Sequence, residues 1–182
     1  MALIDRFIGV TGQLLRESDP GATIASPWAW LKKTGSYALV NRVIGRSIPF
    51  ASRNGFSVEE IGPGYVRAKV SLKGNRNHFG SLYAGAFFLV AEIPGGVLSL
   101  FDLGPDYIPI LKDMSLQFLK PANSDVTVEF YLDEATLAAI RSEADSLGRA
   151  AFSLEGTLCD ASGEVVATST ANYRVRRKGA EW

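Results

Sequence analysis

The sequence predicts an α+β domain in which a curved antiparallel sheet wraps one central helix, preceded by a helical extension. Three observations carry this. Apolar residues recur at three-to-four spacing over residues 1–50, the period changes to two from Phe56, and one long apolar stretch, Leu82 to Ala91, interrupts the strand-like pattern. Helices, a hairpin, one buried helix and then a run of strands is an α+β order, distinct from alternating βαβ units.

In the extension, Leu3, Phe7, Val10 and Leu14 share one face, and Trp28, Leu31, Leu39 and Val43 repeat the pattern. Asp19-Pro20-Gly21 separates the two pieces, and Ser26-Pro27 opens the second, with serine as N-cap and proline at the first helical position. Because the apolar residues lie on one side, the extension is expected to pack on its own domain. Residues 1–50 are assigned to it and residues 51–182 to the sheet domain.

The alternation of Tyr65, Arg67 and Lys69 with Val66, Ala68 and Val70 predicts a hairpin about Ile61-Gly62-Pro63-Gly64. Further strands are expected at Ile108 to Leu119, Val126 to Leu132, Ala150 to Cys159 and Val165 to Val175, the last two joined by the turn Asp160-Ala161-Ser162-Gly163. Asp133 to Asp145 reads as a short helix, capped by Asp133, with Leu137 and Ile140 inward.

The stretch from Asn75 to Gly96 carries the chemistry. A helix from about Ala84 places Gly85, Phe88, Leu89 and Glu92 on one stripe, and Pro94 with Gly95 and Gly96 is expected to kink or end it. Gly85 falls in the first turn, where N–H groups lack intrahelical partners and the helix dipole is positive, so its N–H can polarise a carbonyl oxygen. Glu92 closes the apolar run. A buried carboxylate costs several kcal/mol unless it is paired or given a task, and here it can activate water or attack the carbonyl carbon.

Composition narrows the classes. Lys+Arg and Asp+Glu both number 19 in 182 residues, so no overall field draws the chain to nucleic acid or an anionic membrane. One cysteine, Cys159, permits no intrachain disulfide, and one histidine with one cysteine builds no His/Cys metal cluster. No run is read as reaching the roughly 18 apolar residues of a membrane span, and Asp5 and Arg6 stand where a signal peptide has its apolar centre. The expectation is a cytoplasmic protein that uses neither metal nor cofactor.

These residues resemble the hotdog-fold acyl-CoA thioesterases, in particular the phenylacetate-pathway type and a related uncharacterised group with a helical extension. That family carries an Asn, six residues later a His-Gly-Gly, and an acid seven residues after the second Gly. Here Asn77 stands six before Tyr83, Tyr83-Ala84-Gly85 takes the place of His-Gly-Gly, and Glu92 stands seven after Gly85. Phe118-Leu119-Lys120-Pro121-Ala122 and Gly163-Glu164-Val165-Val166-Ala167 resemble two further family segments, and the likeness spans residues 54–177. Two departures stand out, Tyr83 for the histidine and Ala84 for the first glycine.

The resemblance implies a hotdog domain over residues 51–182, thioester hydrolysis with the Gly85 N–H on the carbonyl oxygen, and an acid, Glu92, supplied across a dimer interface. Asn77 would hold the thioester or the attacking water. Tyr83, Ala84, Phe88, Leu89 and His78 are assigned to substrate binding, and Lys120, Arg174 and Arg176 to the phosphates of coenzyme A, which enters as part of the substrate. The expected partners are an acyl-CoA or acyl-carrier thioester and further copies of the chain, as a homodimer or dimer of dimers. Two alternatives stay open: a non-catalytic acyl-thioester binding module, and a hydratase or dehydratase, whose branch pairs a His with a Glu fourteen residues on, as His78 stands to Glu92.

Overall fold

A computed structural model of the chain describes residues 37–180. The expected helical faces at Leu3 to Leu14 and Trp28 to Leu31, the Asp19-Pro20-Gly21 break and the Ser26-Pro27 start lie outside these residues. Among the described residues the order is α1 (Tyr37–Ser47), α2 (Pro49–Arg53), β1 (Phe56–Gly62), β2 (Tyr65–Val70), α3 (Ala84–Asp102), β3 (Tyr107–Phe118), β4 (Val126–Tyr131), α4 (Glu134–Leu147), β5 (Arg149–Asp160) and β6 (Val165–Arg177). The six strands form one sheet in the order β1-β2-β4-β5-β6-β3, and every neighbouring pair is antiparallel. β3 follows α3 in the chain but lies at the far edge of the sheet, so the helix crosses the concave face before the chain turns back into strand.

Period-two patterning sets which face is buried. On β6, Ala167, Ser169, Ala171, Tyr173 and Val175 turn toward the helix, while Thr170 and Arg174 point away from it. The hairpin turn falls at Pro63-Gly64, and Gly64 holds φ +64°, the left-handed region that a side chain disfavours. Asp133 caps α4 through its Oδ1, which accepts from the Thr136 N–H at 2.8 Å, and Gly148 ends that helix in the left-handed conformation. The part of the helical extension within the described residues docks on the domain: Val40 is buried, and Asn41 exchanges two hydrogen bonds with the backbone of Val58, at 2.7 and 2.9 Å.

The central helix departs from expectation in length. It starts at Ala84, but it runs through Pro94, Gly95 and Gly96 to Asp102, for 19 residues. Proline removes one N–H and crowds the preceding turn, which costs a free helix about 3 kcal/mol. Here the segment is held from outside: Pro94 and Gly95 are buried, the Tyr173 hydroxyl donates to the Glu92 carbonyl, and the Ser99 hydroxyl donates to the Gly95 carbonyl at 2.8 Å. Gly95 has a steric reason, because a β-carbon there would stand 2.5 Å from the Tyr173 hydroxyl oxygen and closer still to its Cζ. The longer helix also corrects the hydropathy reading: it is long and apolar enough to cross a bilayer, yet most of it is buried inside the domain.

Candidate active site at the open face of the central helix

α3 is sheathed by the sheet on most sides and uncovered along one stripe. Ala84 and Phe88 are exposed, and Gly85, Glu92, Gly96 and Leu100 are half-buried, a four-residue repeat along one face. Leu89, expected on this stripe, is instead 6% exposed and belongs to the core, because it lies on the sheet side of the Gly85–Glu92 line.

The loop before the helix is fixed from below by Asn75. Its Nδ2 donates to the carbonyls of Asn54 and Ser71, both at 2.7 Å, and its own carbonyl accepts from the Tyr83 N–H at 2.8 Å. Leu82 N–H is taken by the Ala122 carbonyl at 2.8 Å, and Ala86 N–H by the Tyr83 carbonyl at 2.9 Å. Ala84 and Gly85 N–H are left without a partner among the described residues, at the positive end of a 19-residue helix. The Tyr83 ring lies over Gly85, so that a β-carbon added there would stand 2.8 Å from its Cε1.

Glu92 is the electrostatic centre of the stripe. Its carboxylate has no ion pair or hydrogen bond among the described residues, and burial alone pushes its pKa above the ordinary glutamate value. It lines a cavity of about 210 Å³ between α1 and the second half of α3, walled by Val40, Ile44, Val97 and Leu100. Among the described residues no arginine neutralises it there.

The other expected residues distribute unevenly. Asn77 commits its Oδ1 to a turn, accepting from the N–H groups of Phe79 (2.9 Å) and Ser81 (3.1 Å), which leaves its Nδ2 for any ligand. With Ala84, Phe87, Phe118 and Lys120 it lines a separate recess of about 410 Å³ at the helix N-terminus, and Lys120 is paired with Glu164. His78 is exposed, its ring centroid 3.9 Å from that of Phe79, and no hydrogen bond joins it to Glu92. That arrangement gives no support to the fourteen-residue His–Glu pairing.

Arg174 and Arg176 lie on the face of the sheet turned away from the helix, and Arg176 Nη1 donates to the Ala180 carbonyl at 2.8 Å. Within one chain neither shares the Glu92 cavity. Among the described residues no group of His, Cys, Asp and Glu is arranged to hold a metal ion.

Two residues of consequence escaped the sequence reading. Asn75 positions the loop, and the signal was available in its place at the start of the polar segment. Asp102, at the far end of α3, accepts from the Gly64 N–H at 3.1 and 3.2 Å, and burial pushes its pKa up to about 6 against the pull of that N–H and of Arg141. It went unread because the helix was expected to kink or end at Pro94 to Gly96. The recess of about 1010 Å³ beside it, between the hairpin turn and α4, is remote from Glu92 in the fold.

A curved antiparallel sheet wrapped on one buried helix is the hotdog architecture. The chain belongs to the DUF4442 family, a domain of unknown function whose profile matches residues 36–175. It is similar to PA5026 from Pseudomonas aeruginosa, a protein of unknown function described as a probable thioesterase, with 42% identity over 77% of this chain and 95% of that one and a TM-score of 0.71. Thioesterase HI1161 from Haemophilus influenzae shares the fold at 15% identity, covering 80% of this chain and 93% of its own with a TM-score of 0.64. So does OLEI01261 of unknown function from Chlorobaculum tepidum, at 14% identity, 79% and 95% coverage and a TM-score of 0.69. A comparison with curated proteins finds no significant match.

Proposed function

We infer that the protein hydrolyses an acyl thioester, of coenzyme A or of an acyl carrier. The observation that carries this is Glu92: a desolvated carboxylate with no partner among the described residues, facing the same way as the free N–H of Gly85. The relative of 42% identity, described as a probable thioesterase, supports the same reading.

Hydrolysis follows from ordinary steps. The thioester oxygen accepts from the Gly85 N–H, Glu92 takes a proton from water as the water oxygen bonds to the carbonyl carbon, and the tetrahedral oxyanion is held by the same N–H. The C–S bond then breaks, and the thiolate receives the proton that Glu92 took. Burial favours this role, because it lifts the Glu92 pKa toward the pH at which a base works. Coenzyme A is part of the substrate, and no further cofactor takes part.

The distance along the helix points to two copies. Seven residues separate Gly85 from Glu92, roughly 10 Å at 1.5 Å per residue, whereas reacting atoms must come within about 3–3.5 Å. Two antiparallel central helices would set Gly85 of one chain against Glu92 of the partner subunit. The open stripe on α3 from Ala84 to Glu92 and the unpaired edge of the 12-residue strand β3 are the surfaces such a dimer would cover. Lys120, Arg174 and Arg176 do not line the chain's own Glu92 cavity, so in a homodimer or dimer of dimers they would meet the phosphates of a substrate held by a neighbouring copy. A single cysteine and balanced charge suit a cytoplasmic enzyme that binds neither nucleic acid nor membrane.

The direct test is release of free thiol from a panel of acyl-CoAs by wild type and Glu92→Gln. Turnover by wild type that falls ~100-fold or more in the variant supports the reading. Equal turnover by the two removes Glu92 from the chemistry, and no turnover by wild type on any thioester favours an acyl-thioester binding module.

A further inference from the structure

Three glycine or proline positions interrupt α3 in succession, and each has a different account. Pro94 is buried against the sheet, and Gly95 is required by the Tyr173 ring. Gly96 answers to nothing in the described chain: its φ is ordinary, and a β-carbon built on it meets no atom within 4 Å. A glycine inside a helix costs about 0.5–1 kcal/mol relative to alanine, so an unneeded one marks space kept for something else. That space is the cavity of about 210 Å³ between α1 and α3, in which Gly96 lies one turn beyond Glu92 and Leu100 one turn further.

We propose that this cavity takes the acyl chain of the substrate, an aliphatic chain of about seven carbons, with Gly96 as its floor and α1 as its outer wall. The inference rests on Glu92 acting at the thioester carbonyl, since that fixes where the chain begins. The lining chooses the chemistry: apart from Glu92 and Ser47 it is apolar, with Val40, Ile44, Val97 and Leu100 offering nothing to a phosphate, a sugar or a second carboxylate. Volume sets the length, because a methylene takes up roughly the 30 Å³ of a water molecule and 210 Å³ therefore holds about seven. α1 makes the wall removable as a variable, for it reaches the domain through Val40 and the Asn41–Val58 hydrogen bonds and is not part of the sheet.

The experiment is a ladder of straight-chain acyl-CoAs, from acetyl to palmitoyl, given to the full chain and to Gly96→Ala and Gly96→Leu. Each methylene moved from water into an apolar site adds about fourfold, so kcat/KM of the wild type should climb from acetyl to about octanoyl and then stop climbing. Gly96→Leu should stop the climb near butyryl, with a loss at octanoyl ~100-fold or more greater than any loss at acetyl-CoA. Gly96→Ala should stop it one or two carbons short of wild type. Both substitutions place a better helix former at an unstrained position, so a melting midpoint at or above that of wild type confirms folding.

A wild-type profile flat in chain length, or a Gly96→Leu profile that falls equally for acetyl and octanoyl, overturns the proposal. So does a Gly96→Leu protein that loses its oligomeric state by gel filtration, which would assign the groove to a second copy. If no thioester is hydrolysed, the catalytic reading fails by itself and calorimetry decides the cavity: octanoyl-CoA binding that exceeds acetyl-CoA binding in wild type, with the excess lost in Gly96→Leu, upholds it, and equal binding ends it.

Discussion

At Glu92, charge and burial conflict with no neighbour to settle them, and that conflict can be measured apart from catalysis. The folded chain holds the Glu92 proton more tightly than the unfolded chain, whose carboxyl titrates near 4.3. The stability that comes with protonation is therefore full below about pH 4 and is lost as pH rises through the folded pKa. Glu92→Gln removes this loss, so the midpoint of the variant should exceed that of wild type at pH 7–8, with the gap closing toward pH 4. A midpoint that falls at pH 7 would mean the charge has a partner after all. Two glycines on the same helix should behave in opposite ways. Gly85→Ala pushes only on the exposed Tyr83 ring, which can swing aside, so the fold survives and any loss is of activity. Gly95→Ala drives a methyl into the buried Tyr173 ring and should cost about 1–3 kcal/mol in chemical denaturation.

Among the elements, the strands, the hairpin and α4 were legible because their signals are local: alternation along β5 and β6, Asp133 as a cap, turn residues at Asp160 to Gly163. The start of α3 was legible too, from the apolar run after Tyr83. Its end was not, because a Pro-Gly-Gly that would stop a free helix is carried by partners distant in the chain, Tyr173 above all, and no local pattern reports them. The same blind spot hid Asp102, whose carboxylate clasps the Gly64 N–H of the β1–β2 turn. With its pKa pushed up to about 6 by burial, Asp102 contributes stability that is present below about pH 4 and lost as pH rises through 6. Asp102→Asn keeps an oxygen for Gly64 and should flatten that part of the pH–stability curve between 4 and 7, read as the melting midpoint at each pH. A wild-type curve with no fall in this range would count against the burial of the group.

For the whole molecule, Gly85 and Glu92 were legible as candidates from spacing, and so was their two-turn separation along one helix, which α3 contains. If each catalytic centre joins Gly85 of one copy to Glu92 of another, two dead variants should repair each other. Gly85→Pro removes the polarising N–H at a first-turn position where proline is tolerated, and Glu92→Gln removes the base. In a mixed dimer, one centre inherits both lesions and the other inherits neither. Random mixing makes half the dimers mixed, each with one sound centre of two, so an equimolar mixture unfolded and refolded together should recover about a quarter of wild-type turnover per centre. Separate refolding followed by brief mixing should recover none, since chains must exchange. Co-refolded variants that stay inactive, while each alone keeps the wild-type melting curve and oligomeric state, would place both groups of the centre within a single chain.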